Sequence, residues 1–97
     1  DRAWARALVA AACRDAQASC RADNLDEHWQ LFMRHHLDGL PYRDCAAEFD
    51  VDPKRCAVMA RTAANRFREA LQQRLKQDGV GAEEIDEELM KLQEAIS

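Results

Sequence analysis

A chain of 97 residues and 11.1 kDa has room for one small domain, which excludes catalysis in a cleft between two domains. Eighteen residues are alanine, against four valines, two isoleucines and the single Thr62, and with three glycines and two prolines this composition excludes a turn-rich sheet protein and predicts an all-α fold. The net charge of −4 conceals a partition: residues 1–52 sum to −4, residues 53–76 to +6 with Glu69 as their only acid, and residues 77–97 to −6, so a basic footprint suited to phosphates sits inside an acidic chain.

The first helix is expected from Arg2 to about Ala22, a stretch without Gly or Pro, with Asp1 as its cap and Trp4, Leu8, Ala11 or Ala12, and Ala16 on one stripe. Asn24 stands three residues before Glu27, the spacing of a capping box. It predicts a second helix from about Leu25 to Leu37, with Leu25, Trp29, Phe32 or Met33, and Leu37 inward and Gly39 just past its end. Pro41 suits the first turn of a short third helix over Pro41–Glu48. Phe49, Asp50 and Val51 then turn the chain, and Asp52-Pro53 reads as a cap followed by proline at the first helical position. A long fourth helix follows from Pro53 to about Gln77, its inward stripe being Cys56, Ala60, Ala63, Phe67, Leu71 and Arg74 or Leu75. A fifth, from about Ala82 to Ile96, opens on acids that favour a helix N-terminus and aligns Ile85, Leu89, Leu92 and Ile96. The expected organisation is a leading helix over 1–23, a helix-turn-helix core over 24–77 and an acidic C-terminal helix over 78–97.

No apolar run approaches the ~20 residues that cross a bilayer, the longest being Ala7 to Cys13, so a soluble cytoplasmic protein without membrane contact is expected. The chain opens on Asp1 with neither methionine nor a signal-peptide pattern, and is expected to be a piece of a longer protein. Cys13, Cys20, Cys45 and Cys56 fall inside helical patterns without the two-residue gap of a zinc or redox motif, and are expected to be free thiols.

Function is read from the third and fourth helices. A short helix, a tight turn and a longer basic helix match the helix-turn-helix pattern, in which residues near the start of the second helix meet base edges and their neighbours hold phosphates. Opposite the inward stripe lie Lys54, Arg55, Val58, Arg61, Thr62 and Asn65; arginine pairs with guanine and asparagine with adenine. Arg66 and Arg68 suit backbone phosphates or solvent. The competing reading is a solvated helix face.

The segment LDEHWQLFMRHHLDGLPYRDCAAEFDVDPKRCAVMARTAANRFREAL, residues 25–71, resembles region four of bacterial RNA polymerase sigma factors, the extracytoplasmic-function (ECF) group in particular. An apolar helix ends in Gly-Leu, a helix with acidic and alanine positions follows, and a capped recognition helix ends in RFREAL. The flanks DRAWARAL and IDEELMKLQEAIS are similar to those of region four in ECF-type sigma factors from large-genome bacteria. The resemblance implies recognition of the minus-thirty-five promoter element in double-stranded DNA, binding to the β flap of the polymerase core, and an anti-sigma factor as a further partner. It implies that Lys54, Arg55, Val58, Arg61, Thr62 and Asn65 face DNA, with Arg43 near a phosphate. The sequence departs from the family at Phe49-Asp50-Val51, where glycine is usual, and at Cys45 and Cys56, where larger aliphatics are. Region two, which in that family melts promoters, has no counterpart here, so this chain is not expected to initiate transcription alone.

The alternatives are of other classes. His28, His35 and His36 with four cysteines lack the convergent spacing of a metal site, and nothing offers a nucleophile with an oxyanion hole, so neither an enzyme nor a cofactor is expected. Trp4 and Trp29 sit in apolar stripes and are expected to be core anchors rather than a base-stacking platform. A sigma-like module that binds polymerase or an anti-sigma partner without reading DNA is the main rival. A response-regulator output domain would not need the flanking helices. Docking of the acidic tail near Trp4 and Leu8 or near Leu71 would set it against the basic helix and weaken DNA binding at low salt; the competing reading is a tail helix that only completes the core, its acids serving the helix dipole.

Overall fold

The computed structural model describes residues 2–79 and Glu87. These residues are all-helical, in the order α1 (Arg2–Ala22), α2 (Asp26–His36), α3 (Tyr42–Phe49) and α4 (Pro53–Gln77). No helix among them is long and apolar enough to cross a membrane. The fifth helix expected over 82–96, and with it the docking of its apolar stripe, lies outside the described residues apart from Glu87.

Helix α4 is the spine against which the other three pack. The start of α1 (Ala5, Leu8, Ala12) lies on the end of α4 (Leu71, Leu75), and the end of α1 (Ala16, Cys20) meets Ala63 together with Trp29 and Phe32 of α2, so α1 and α4 run antiparallel. Leu31 of α2, Cys45 and Ala46 of α3, and Cys56, Met59 and Ala60 of α4 close the third cluster. Alanine and cysteine dominate the α1–α4 seam, and their small side chains allow the close helix approach that a chain with few large hydrophobics requires.

Three expectations about the core are corrected. Trp4 is 40% exposed and Ala5 takes the buried position. At 3.6 residues per turn each step of four rotates the stripe by about 40°, so successive steps of four from Cys20 back through Ala16, Ala12 and Leu8 carry Trp4 off the seam. Leu37 is 72% exposed, whereas Leu31 is fully buried: α2 is sandwiched between the α1–α4 seam and α3, which widens its apolar face toward Leu31 and ends it before Leu37. Phe67 is half-buried; it bridges two clusters and meets Phe32 at 6.1 Å between ring centroids.

The connections depart from expectation in local detail. No capping box forms: the N-cap position of α2 is Leu25 without a side-chain cap, and Asn24 is left-handed at φ 61°. Asn24 instead closes α1, with Asn24 N–H on the Arg21 carbonyl (3.2 Å) and Leu25 N–H on Cys20 (2.7 Å), a paired C-terminal closure that needs a left-handed residue there. An N-cap needs extended backbone, so Asn24 cannot serve both ends. Pro41 is the N-cap of α3 (ψ 153°) rather than its first helical residue, and its carbonyl accepts from Asp44 and Cys45 N–H. Gly39 is left-handed at φ 71°. His35 Nδ1 donates to the Leu40 carbonyl at 2.8 Å and its ring stacks on Tyr42 at 3.8 Å, which ties the end of α2 to the start of α3.

Candidate nucleic-acid interface

The turn between α3 and α4 is three residues long. Asp50 is left-handed (φ 54°, ψ 49°), its N–H on the Ala46 carbonyl, and Val51 N–H returns to the same carbonyl at 3.0 Å. Asp52 is extended and its carboxylate accepts from Lys54 N–H at 2.8 Å, with Pro53 at the first position of α4. Cap and proline start α4 at a defined residue, while Cys45 and Ala46 hold α3 against Cys56, Met59 and Ala60. The Cys45 thiol donates to the Leu40 carbonyl at 3.5 Å. Burial pushes the Cys45 and Cys56 thiols up, which keeps them protonated packing groups; all four cysteines are free.

The rotation of about 100° per residue sorts α4 into two faces. Cys56, Met59, Ala60, Ala63, Leu71 and Leu75 are buried. Opposite them Lys54, Val58, Arg61, Asn65 and Arg68 form one outward stripe, and all are exposed. Arg55 is exposed and Thr62 half-buried along one edge; Thr62 donates its hydroxyl hydrogen to the Val58 carbonyl at 3.1 Å. Burial, and then the positive charge of Arg55, hold His28 below the ordinary histidine range.

Arg66 does not belong to this stripe. Its guanidinium donates to Asp23 Oδ2 at 2.6 Å, Ser19 Oγ at 2.7 Å and the Ser19 carbonyl at 3.3 Å, clamping α4 to the end of α1. The guanidinium expected to suit a phosphate is engaged internally, because an acid from the connection between α1 and α2 comes within reach. Arg74 likewise pairs with Asp15 through two contacts of 2.7 and 2.9 Å, and Arg34 of α2 grips Glu48 of α3 at 2.8 and 2.9 Å and Asp38 at 2.8 Å. These hydrogen bonds hold the Asp15 and Glu48 carboxyls below their ordinary range. Arg43 is exposed in the first turn of α3, 3.9 Å from Asp44.

The structure therefore gathers five of the nine expected residues on one face, adds Arg55 and Thr62 at its edge, leaves Arg43 on α3 and withdraws Arg66. Among the described residues Lys54, Arg55, Arg61, Arg68 and Lys76 of α4 make no ion pair. Exposed guanidinium and ammonium groups are of the kind that pairs with phosphates and base edges. Among the same residues no cluster of three His, Cys, Asp or Glu side chains is arranged to hold a metal ion. Comparison of the chain with protein-family models, with curated proteins and with solved structures finds no match.

Proposed function

We propose that α3, the turn at 50–52 and α4 work as a helix-turn-helix that inserts the start of α4 into the major groove of promoter DNA, as region four of an ECF-type sigma factor does at the minus-thirty-five element in complex with RNA polymerase. The observation that carries this reading is the exposed stripe Lys54, Val58, Arg61, Asn65 and Arg68 on a capped helix, where basic, amide and aliphatic groups alternate at the positions that meet bases and backbone. The promoter target and the polymerase partner come from the resemblance of residues 25–71. The rival reading, a sigma-like module that binds polymerase or an anti-sigma partner without reading DNA, draws on Leu37, 72% exposed just beyond the end of α2.

Fluorescence anisotropy with duplex DNA at two salt concentrations separates the two. Four phosphate contacts from α4 and Arg43 would weaken binding about a hundredfold between about 50 and 200 mM salt, with a sequence-dependent component persisting at the higher salt. No measurable duplex binding at low salt would favour the protein-docking module.

A further inference from the structure

Val58 is out of keeping with its surroundings. It is 50% exposed in the middle of the outward stripe, one turn after Lys54 and one turn before Arg61 and Thr62. Packing does not account for it, since α4 meets α2 and α3 through Cys56, Met59 and Ala60. Helix preference does not either, because a β-branched side chain on an exposed helix face is a weak helix former. Thr62, half-buried at i+4, donates its hydroxyl hydrogen to the Val58 carbonyl at 3.1 Å, so the hydroxyl is occupied and the methyl is what the side chain has left to offer a ligand. Val58 and Thr62 together make a small aliphatic spot bordered by Lys54, Arg61 and Asn65.

We propose that this spot reads the 5-methyl group of a thymine in the major groove, and that Val58 sets a T·A preference in the recognised sequence. The proposal rests on the DNA-reading assignment of α4. Thymine presents a methyl group in the major groove where cytosine presents an amino group, and an aliphatic side chain is the group that tells them apart. Seven residues separate Val58 from Asn65, about 10 Å along the axis or about three base-pair steps, so the thymine lies within about three base pairs of the positions that Arg61 and Asn65 address. A protein-docking spot would be larger: among the described residues of α4, Val58 is the one large hydrophobic that is exposed, whereas docking anchors cluster in apolar patches.

The test uses the 97-residue chain and the duplex it prefers, selected from a randomised pool. Each thymine of that duplex is replaced in turn by deoxyuridine, which keeps every hydrogen-bonding group and removes the methyl. One position is expected to bind about fourfold more weakly as deoxyuridine, the worth of one methyl group taken out of water. The Val58→Ala chain, checked for helix content by circular dichroism, is expected to lose most of the difference, with the Thr62 methyl still in place, and Val58→Thr to keep more of it. Deoxyuridine duplexes that all bind like the parent, or a Val58→Ala chain that keeps the full thymine preference, would overturn the proposal while leaving base reading by Arg61 and Asn65 intact. A pool that yields no preferred sequence would overturn both and turn Val58 over to a protein surface.

Discussion

Arg61 and Arg66 stand little more than a turn apart on α4, inside the same basic run. Arg66 faces α1, where Asp23 and Ser19 take up its guanidinium; Arg61 faces solvent among Lys54, Val58 and Asn65 and is exposed. The same division repeats further along, with Arg74 paired to Asp15 and Arg68 exposed without an ion pair among the described residues. The role of a cation in such a run is decided by what the neighbouring helix offers across from it. A structural arginine meets a carboxylate held in place by packing, while an arginine that meets none among the described residues adds self-repulsion that a bound polyanion would relieve.

The largest effect that would sharpen this contrast is expected from the seam itself. Leu75 is fully buried between the start of α1 and the end of α4, and Leu75→Ala is expected to lower unfolding free energy by about 2–5 kcal/mol, measured by urea denaturation. Val58→Ala, on the outward face, is expected to change it by less than about 0.5 kcal/mol. At the turn that presents the stripe, Asp52→Ala removes the cap on Lys54 N–H and is expected to cost about 1 kcal/mol. Asp50→Gly, which relieves a left-handed residue, is expected to be neutral or stabilising by up to about 1 kcal/mol. A loss of stability on Asp50→Gly would mean that the aspartate side chain itself holds the turn.

The smallest effects are those of pH, and they too divide the two faces. His28 and His36 are held below the ordinary histidine value of 6.5, burial being the main cause in both, with the Arg55 charge the lesser one for His28 and the neighbouring His35 the lesser one for His36. Protonation therefore favours the unfolded chain, and the melting midpoint is expected to begin falling as the pH drops through about 6.5. Asp15 and Glu48 are held below their ordinary values of 3.8 and 4.5 by Arg74 and Arg34. The stability they contribute is present above those values and is lost as the pH falls below them. Arg74→Ala is expected to flatten the lower branch of the midpoint-against-pH curve and leave the upper branch unchanged, whereas Arg61→Ala is expected to change neither.

What was legible in the sequence is what short-range chemistry decides. The start of α4 follows from Asp52-Pro53, a cap and a pre-set φ in adjacent residues, and its outward stripe follows from the turn angle of a helix once the start is known. Asn24 was ambiguous because the same side chain suits an N-cap and a left-handed helix end, and only the backbone at Cys20 and Arg21 selects the second. Leu31 and Met59 escaped a one-stripe reading because α2 and α4 are each buried on more than one side. Arg66 was out of reach for another reason: its partner Asp23 lies 43 residues away in the chain, and no local pattern reports a contact made by the antiparallel return of α4 along α1.

The most direct test of the division between paired and unpaired arginines crosses two variants with two measurements: Arg61→Ala and Arg66→Ala, each followed by thermal melting and by anisotropy on the selected duplex and on duplexes altered one base pair at a time. Arg61→Ala is expected to leave the melting midpoint unchanged and to lose about 1–3 kcal/mol of discrimination at one base pair. Arg66→Ala is expected to lower the midpoint, to respond less steeply to Asp23→Ala than the parent chain does, and to keep the sequence preference of whatever fraction remains folded. An Arg66→Ala chain that melts like the parent and relaxes the preference at one base pair, beside an Arg61→Ala chain that binds every duplex as the parent does, would contradict the assignment of the two arginines and, with it, the outward stripe of α4 as the DNA-reading face.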